Sequence, residues 1–351
     1  MVVATSTHRQ SLGLDEEARK VLWVGGTSAL SRSYFDEQVN AIVPGQKLIF
    51  VICGYEDQAP AWCADFADIC GYVSLNMFDA QNVSSLSDRA GTVLSGCDTL
   101  FLSIRLCLVT SGSKHLQLAT NLRKLFEVCY DEIGVRNILH VSSIAVADHM
   151  VPKDFANEND PLPPIEQLYS YDKFKRLSED ILNSFANERR ELKYTSVRVG
   201  GIYSSNAELC FSHQWLGLHM RYSNCFELPL MDITSGRNIC VAMRLLLLSD
   251  AEWKKCYYYT RTRVLDNPDL SPVSLSWYVR ELRKAYGIQW YFDGQFVIPN
   301  YCIGYIFLIL SWIFPSVGFL SSMAYLILAG ASQQTFDCSR IRADLPDLDL
   351  Y

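Results

Sequence analysis

The 12 cysteines of this chain form no C-x-x-C pair and no cluster with histidine at metal-ligand spacing. That excludes a zinc-finger type of site and points to free thiols in a reducing compartment. Basic residues never run longer than two in succession, and the formal net charge is −7; nucleic acid is thereby excluded as the main partner. The first 20 residues hold no apolar stretch, so no cleavable secretory signal is expected, and the sequon at Asn82 is read as idle. Internal repeats and low-complexity linkers are also missing. The most unusual deficit is local: from Gly294 to Phe336, 43 positions, there is no charged side chain. This run exceeds the roughly 20 apolar residues of a spanning helix. Pro315 divides it, so either one kinked span or a hairpin dipping into one leaflet is expected, with a buried helix pair of a soluble core as the alternative. Membrane lipid is therefore an expected partner.

What is present elsewhere is an alternation of strand-like and helix-like segments in a chain of 351 residues, long enough for one large domain with an attachment or for two domains. Short β-type apolar runs occur at Lys20–Gly26, Gln46–Gly54, Cys97–Ile104, Val135–Ser143 and Leu192–Tyr203, with a later one at Lys255–Asp266. Amphipathic stretches such as Leu116–Gly134 lie between them, and Ser271–Gly287 has a serine start and a glycine stop. The expected fold class is α/β, a doubly wound parallel sheet of the Rossmann type. The expected division is an N-terminal arm (1–19), a dinucleotide-binding core (20–204), a substrate-binding region with return elements to the core (205–293), the hydrophobic membrane segment (294–336) and a C-terminal tail (337–351).

The stretch "VLWVGGTSALSR" stands where a strand gives way to a helix, the place where backbone N–H groups and the helix dipole hold a pyrophosphate. Gly25, Gly26, Thr27, Ser28, Ser31 and Arg32 are the candidate cofactor contacts there. Gly25 fits the tight turn. In the G-x-x-G-x-x-G spacing of short-chain dehydrogenases, however, Ser28 and Ser31 occupy the second and third glycine positions, each adding a Cβ and a hydroxyl. No acidic residue closes the second strand, which reads "VICGYED", and Arg32 is the candidate for a 2′-phosphate; NAD and NADP stay open. Asp79 could meet the adenine amine or simply cap a helix.

Two tyrosines each have a lysine four positions on, Tyr169 with Lys173 and Tyr171 with Lys175. At helical spacing Phe174, Leu177, Ile181 and Phe185 share a face with Tyr171 at its edge, while Tyr169, Lys173, Arg176 and Asp180 lie on the opposite, solvated side. A lysine ammonium one turn from Tyr171 favours the phenolate and suits it to acid/base work. "SSIAVAD" from Ser142, followed 28 positions after Ser143 by Tyr171 in "YDKFKRLSE", resembles the Ser…Tyr-x-x-x-Lys set of extended short-chain dehydrogenases, and most closely the 3β-hydroxysteroid dehydrogenase/isomerase family. "VRVGGIYS" from Val197, "NICVA" from Asn238 and, weakly, "FDCSRIRADLPDL" extend the likeness over most of the chain from Val21. The resemblance implies Ser143 donating to the substrate oxygen, Tyr171 moving the hydroxyl proton, and Lys175 holding the nicotinamide ribose, with Ser142 packed behind its neighbour. It also implies NAD or NADP, a steroid or sterol-like substrate with or without isomerisation, and an endoplasmic-reticulum membrane. It leaves oligomeric state open, a homodimer among the options.

The sequence departs from that family pattern around the cofactor. Besides Ser28 and Ser31, Val199 replaces a proline, Arg237 replaces an aspartate, and Arg105 stands near the cofactor cleft. Asn121 is the nearest candidate for a tetrad asparagine, at shorter spacing. Two readings follow, an active NAD(P)-dependent dehydrogenase and a catalytically inactive relative used for binding or scaffolding at a membrane.

Overall fold

The computed structural model describes residues 18–43, 45–104, 112–147, 156–168, 170–203, 233–249, 252–260, 284, 287, 300–314, 320 and 336–350. Strands β1 (Arg19–Val24), β2 (Leu48–Gly54), β3 (Cys70–Ser74), β4 (Cys97–Leu102), β5 (Asn137–Ser143) and β6 (Lys193–Val199) pair in parallel with one another and with a strand from much later in the chain, β9 (Cys256–Tyr259). The order is β3-β2-β1-β4-β5-β6-β9. It reverses between β1 and β4, which opens a crevice at the carboxyl ends of those two strands. Two short strands, β7 (Gly201–Tyr203) and β8 (Ile233–Ser235), form a separate parallel pair. The expected run Leu192–Tyr203 is thus broken at Gly200 into β6 and β7.

A parallel sheet is covered on both faces, so its strands read as unbroken apolar runs. In β1, Val21, Leu22, Trp23 and Val24 are all buried. Alternation sends Val21 and Trp23 into one layer, with helices α1 (Ala29–Asp36), α2 (Val39–Ile42) and α7 (Gly236–Leu248). Leu22 and Val24 enter the other, with α3 (Ala80–Ser84), α4 (Leu86–Ala90), α5 (Gly112–Glu127) and α6 (Ser170–Asn187). Trp23 is the centre of an aromatic cluster. Tyr34, Phe35, Phe50 and Phe101 surround its ring at centroid distances of 4.5–6.3 Å, and its indole N–H donates to Ser103 Oγ at 2.8 Å.

The later chain returns to this core. Arg244 of α7, fully buried, donates to the carbonyls of Val43 and Gln46 and to Asn40. Phe336, Cys338, Ile341, Leu345 and Leu348, around the short helix α9 (Ser339–Asp344), are buried against β9. Phe336 bridges Ala156, and the Thr260 N–H donates to Cys338 Sγ at 3.3 Å. The described cysteines carry free thiols.

Within the uncharged stretch, α8 (Asn300–Ile313) has 14 residues and a length of about 21 Å, against about 30 Å of bilayer hydrocarbon. Among the described residues no helix is long and apolar enough to cross a membrane. The helix expected over Ser271–Gly287 lies outside the described residues except for Lys284 and Gly287.

Because Trp23 fills the space between β1, α1 and β4, Trp23→Ala should lower unfolding stability by about 3–5 kcal/mol. Urea denaturation followed by circular dichroism measures the loss.

Candidate active site

The crevice is built from the turn after β1, the ends of β4 and β5, and the first turns of α6. Gly25 adopts φ +84°, and a Cβ there would stand 2.7 Å from the Ser103 carbonyl oxygen; one on Gly26 would stand 2.6 Å from Ile52 Cγ2. Only glycine lets the chain cross so closely over β4 and β2. Thr27 lies over the end of β2, where a Cβ on Gly54 would meet its methyl group at 2.4 Å. This is the place an acidic residue usually takes. Ser28 is the N-cap of α1 in extended backbone, but its hydroxyl makes no cap hydrogen bond and is buried without a partner. Ser31 is fully buried, and its hydroxyl donates to the Ser28 carbonyl at 2.7 Å. A serine in place of the third glycine is therefore satisfied inside its own helix.

Arg32 is engaged on the flank of α1. It pairs with Asp36 at 2.9 Å and lies 5.1 Å from the centroid of the Trp62 ring. Asp79 caps α3 through one carboxylate oxygen, which accepts from the N–H groups of Gln81 at 2.9 Å and Asn82 at 3.2 Å. Asn121 is buried, and its amide donates to the Met77 carbonyl at 2.8 Å, pinning the turn after β3 to α5. Arg105 and Tyr169 lie outside the described residues.

Ser143 is the last residue of β5, half-buried, and its Oγ accepts from the Ala145 N–H at 3.2 Å. Tyr171 stands in the first turn of α6, half-buried, on a helix that packs against the turn Ile144–Ala147 following Ser143. Lys175, one turn on, is buried, and its ammonium donates to the carbonyls of Ile104 at 3.0 Å and Val141 at 2.9 Å. The charge is thereby held where β4 and β5 end. Burial lowers its pKa to about 8, with the Glu179 carboxylate acting in the opposite direction. His140, buried in mid-strand with Nδ1 3.1 Å from Ser196 Oγ, is held well below the usual histidine range by burial and by the charges of Lys175 and Arg198.

The face of α6 that meets the sheet is rotated by roughly a quarter turn from the sequence expectation. Phe174 and Phe185 are buried as expected, but Leu177 and Ile181 are only partly so, while Lys175, Ser178, Glu179 and Leu182 are fully covered. Sequence reasoning missed the reason. Glu179 accepts from Ser142 Oγ at 2.5 Å and pairs bidentately with Arg198 of β6, Nε at 3.0 Å and Nη2 at 2.7 Å. Arg198 Nη1 also donates to the Tyr258 hydroxyl at 2.9 Å. The available signal was Arg198 itself: an arginine between valines in a strand covered on both faces requires a buried counter-charge.

No family model matches the chain, and no curated protein matches its sequence. Solved structures do match its fold. The terminal R domain from the myxalamid PKS-NRPS biosynthetic pathway is 12% identical and aligns over 93% of this chain and 85% of its own, with a TM-score of 0.64. UDP-N-acetylglucosamine 4-epimerase from Methanobrevibacter ruminantium is 13% identical over 81% and 85% of the two chains, with a TM-score of 0.57. The dTDP-glucose 4,6-dehydratase DesIV from Streptomyces venezuelae, solved with NAD and TYD bound, is 15% identical over 80% and 84%, with a TM-score of 0.55. At these identities the likeness establishes the fold alone, an α/β Rossmann-type parallel sheet.

The Lys175 geometry carries a pH signature. The lysine titrates near pH 8 in the folded chain and near 10.4 when unfolded. Between these values the unfolded state binds more protons, so this group makes stability rise with pH over that window and adds no slope below it. The difference between the stability curves of wild type and Lys175→Met, from chemical denaturation at a series of pH values, should show that rise; a flat difference would contradict the buried seat.

Proposed function

We propose that the chain is a nicotinamide-dependent oxidoreductase of the Ser-Tyr-Lys type, acting at a hydroxyl-bearing carbon of an apolar, steroid- or sterol-like substrate. The observation that carries this reading is the seat of Lys175: a buried ammonium at the carboxyl ends of β4 and β5, one helical turn after Tyr171, with Ser143 closing β5. The long uncharged segment supports the choice of a substrate that partitions into lipid.

The residues present fit a dinucleotide. Ser28 Oγ is a buried hydroxyl without a partner at the start of α1, whose first-turn N–H groups receive no side-chain cap; a phosphate oxygen satisfies both. Gly25, Gly26, Thr27 and Ser28 would hold the pyrophosphate, and Asp79 would border the adenine. Neighbours solved with NAD support the choice of cofactor class. Arg32, already paired with Asp36 and stacked on Trp62, favours NAD over NADP. When bound, the nicotinamide supplies the hydride chemistry.

The chain's own residues handle the proton. In this reading Tyr171 takes it from, or returns it to, the substrate hydroxyl, and the Lys175 charge favours the phenolate. Ser143 Oγ accepts from the Ala145 N–H, which leaves its own O–H to donate to the substrate oxygen. A second reading, a non-catalytic binding or scaffold protein, is favoured by one specific observation: serine side chains stand at both glycine positions that face the pyrophosphate and the sheet.

Titration of NADH fluorescence with the purified chain separates the two readings, saturable binding being expected and its absence up to millimolar nucleotide supporting the second. On a 3β-hydroxysteroid, Tyr171→Phe should lower turnover by about 100-fold or more, while Tyr169→Phe stays near wild type. Equal losses in both would refute the assignment of Tyr171.

A further inference from the structure

Helix α8 is apolar on its covered side and on its exposed side alike. Gly304 is buried, and Phe307, Leu308 and Ser311 are partly covered on one side. On the other side Tyr305, Ile306, Ile309, Trp312 and Ile313 fall within one arc of the helix, and with Phe314 just beyond its end they are 52–74% exposed. A surface helix normally turns such a face inward. Here large apolar side chains stand outward in a row, in a sequence that carries no charge from Gly294 to Phe336.

We propose that this face of α8 rests on a lipid surface, with the helix lying in the plane of one leaflet. Three observations select lipid over a protein partner. The helix is about 21 Å long, too short to cross about 30 Å of hydrocarbon and suited to lie along it. Tyr305 and Trp312, two turns apart on the exposed arc, combine an apolar ring with an O–H or N–H, the pattern favoured at the headgroup boundary. A protein interface is bordered by a polar and charged rim, whereas the sequence on both sides of α8 is uncharged. Without lysine or arginine in the segment, apolar burial drives the contact, and anionic lipid adds nothing. The proposal is independent of the chemistry at the crevice.

The test is co-sedimentation of the full-length chain with phosphatidylcholine vesicles. Binding is expected, unchanged by high salt or by added phosphatidylserine. Ile306→Glu combined with Ile309→Glu should weaken it about tenfold or more, with circular dichroism and nucleotide affinity unchanged because both side chains face away from the core. Brominated lipid should quench part of the tryptophan emission in wild type, and that part should be gone in Trp312→Phe. No vesicle binding, or binding indifferent to the two glutamates, overturns the proposal. So does a dimer, seen by sedimentation velocity, that the glutamates dissociate without any lipid binding, because a second copy then covers the face. Vesicle binding without nucleotide binding leaves this proposal standing and removes only the oxidoreductase reading.

Discussion

Buried between helix and sheet, the carboxylate of Glu179 accepts from Ser142 at the end of β5 and bidentately from Arg198 of β6, which in turn reaches the Tyr258 hydroxyl of β9. One side chain of α6 is thus tied to three neighbouring strands. A buried ion pair adds little net stability over an apolar replacement, but neither partner tolerates the loss of the other. Its effect here is orientation. Residues 171, 175 and 179 follow one another at single-turn spacing, so fixing the azimuth of Glu179 fixes that of Lys175 and Tyr171. The same pair accounts for the helix face found: a purely apolar contact would centre on Phe174, Leu177 and Ile181, whereas the buried row runs through Lys175, Ser178 and Glu179.

The sheet was legible because parallel strands covered on both sides must be apolar without interruption, as in "VLWV" and "LIFVICG". Six of the seven strands of the sheet fall in runs read from the sequence alone, β1 starting one residue before its run, while β3, "CGYVS", is too short and too mixed in polarity to announce itself. The site was legible where the chemistry is local, as in the four-residue spacing of Tyr171 and Lys175. It was illegible where partners come from distant strands: nothing near Lys175 in the sequence shows that the carbonyls of Ile104 and Val141 receive its protons. The turn motif likewise offers Arg32 as a phosphate ligand but does not show its pairing with Asp36 or its place over the Trp62 ring, which comes from beyond β2.

The phosphate turn shows how a motif can lose its letters and keep its shape. The third glycine of the pattern is needed for close approach of helix to strand, and Ser31 meets that demand by folding its hydroxyl back onto the Ser28 carbonyl. The second is needed for close approach of backbone to ligand, and there Ser28 presents a hydroxyl that the protein itself leaves unsatisfied. The two serines are physically different substitutions, one satisfied within its own helix and one left buried without a partner.

Thr260 and Cys338, 78 positions apart, meet at the end of β9. The stretch between them, which includes α8, is therefore a loop whose two ends are held together beside the sheet. Since closure entropy grows only with the logarithm of loop length, material can be added to or removed from that stretch at small cost to the seven-stranded platform. A lineage could therefore revise what this region contacts while the crevice at β4 and β5 keeps its geometry.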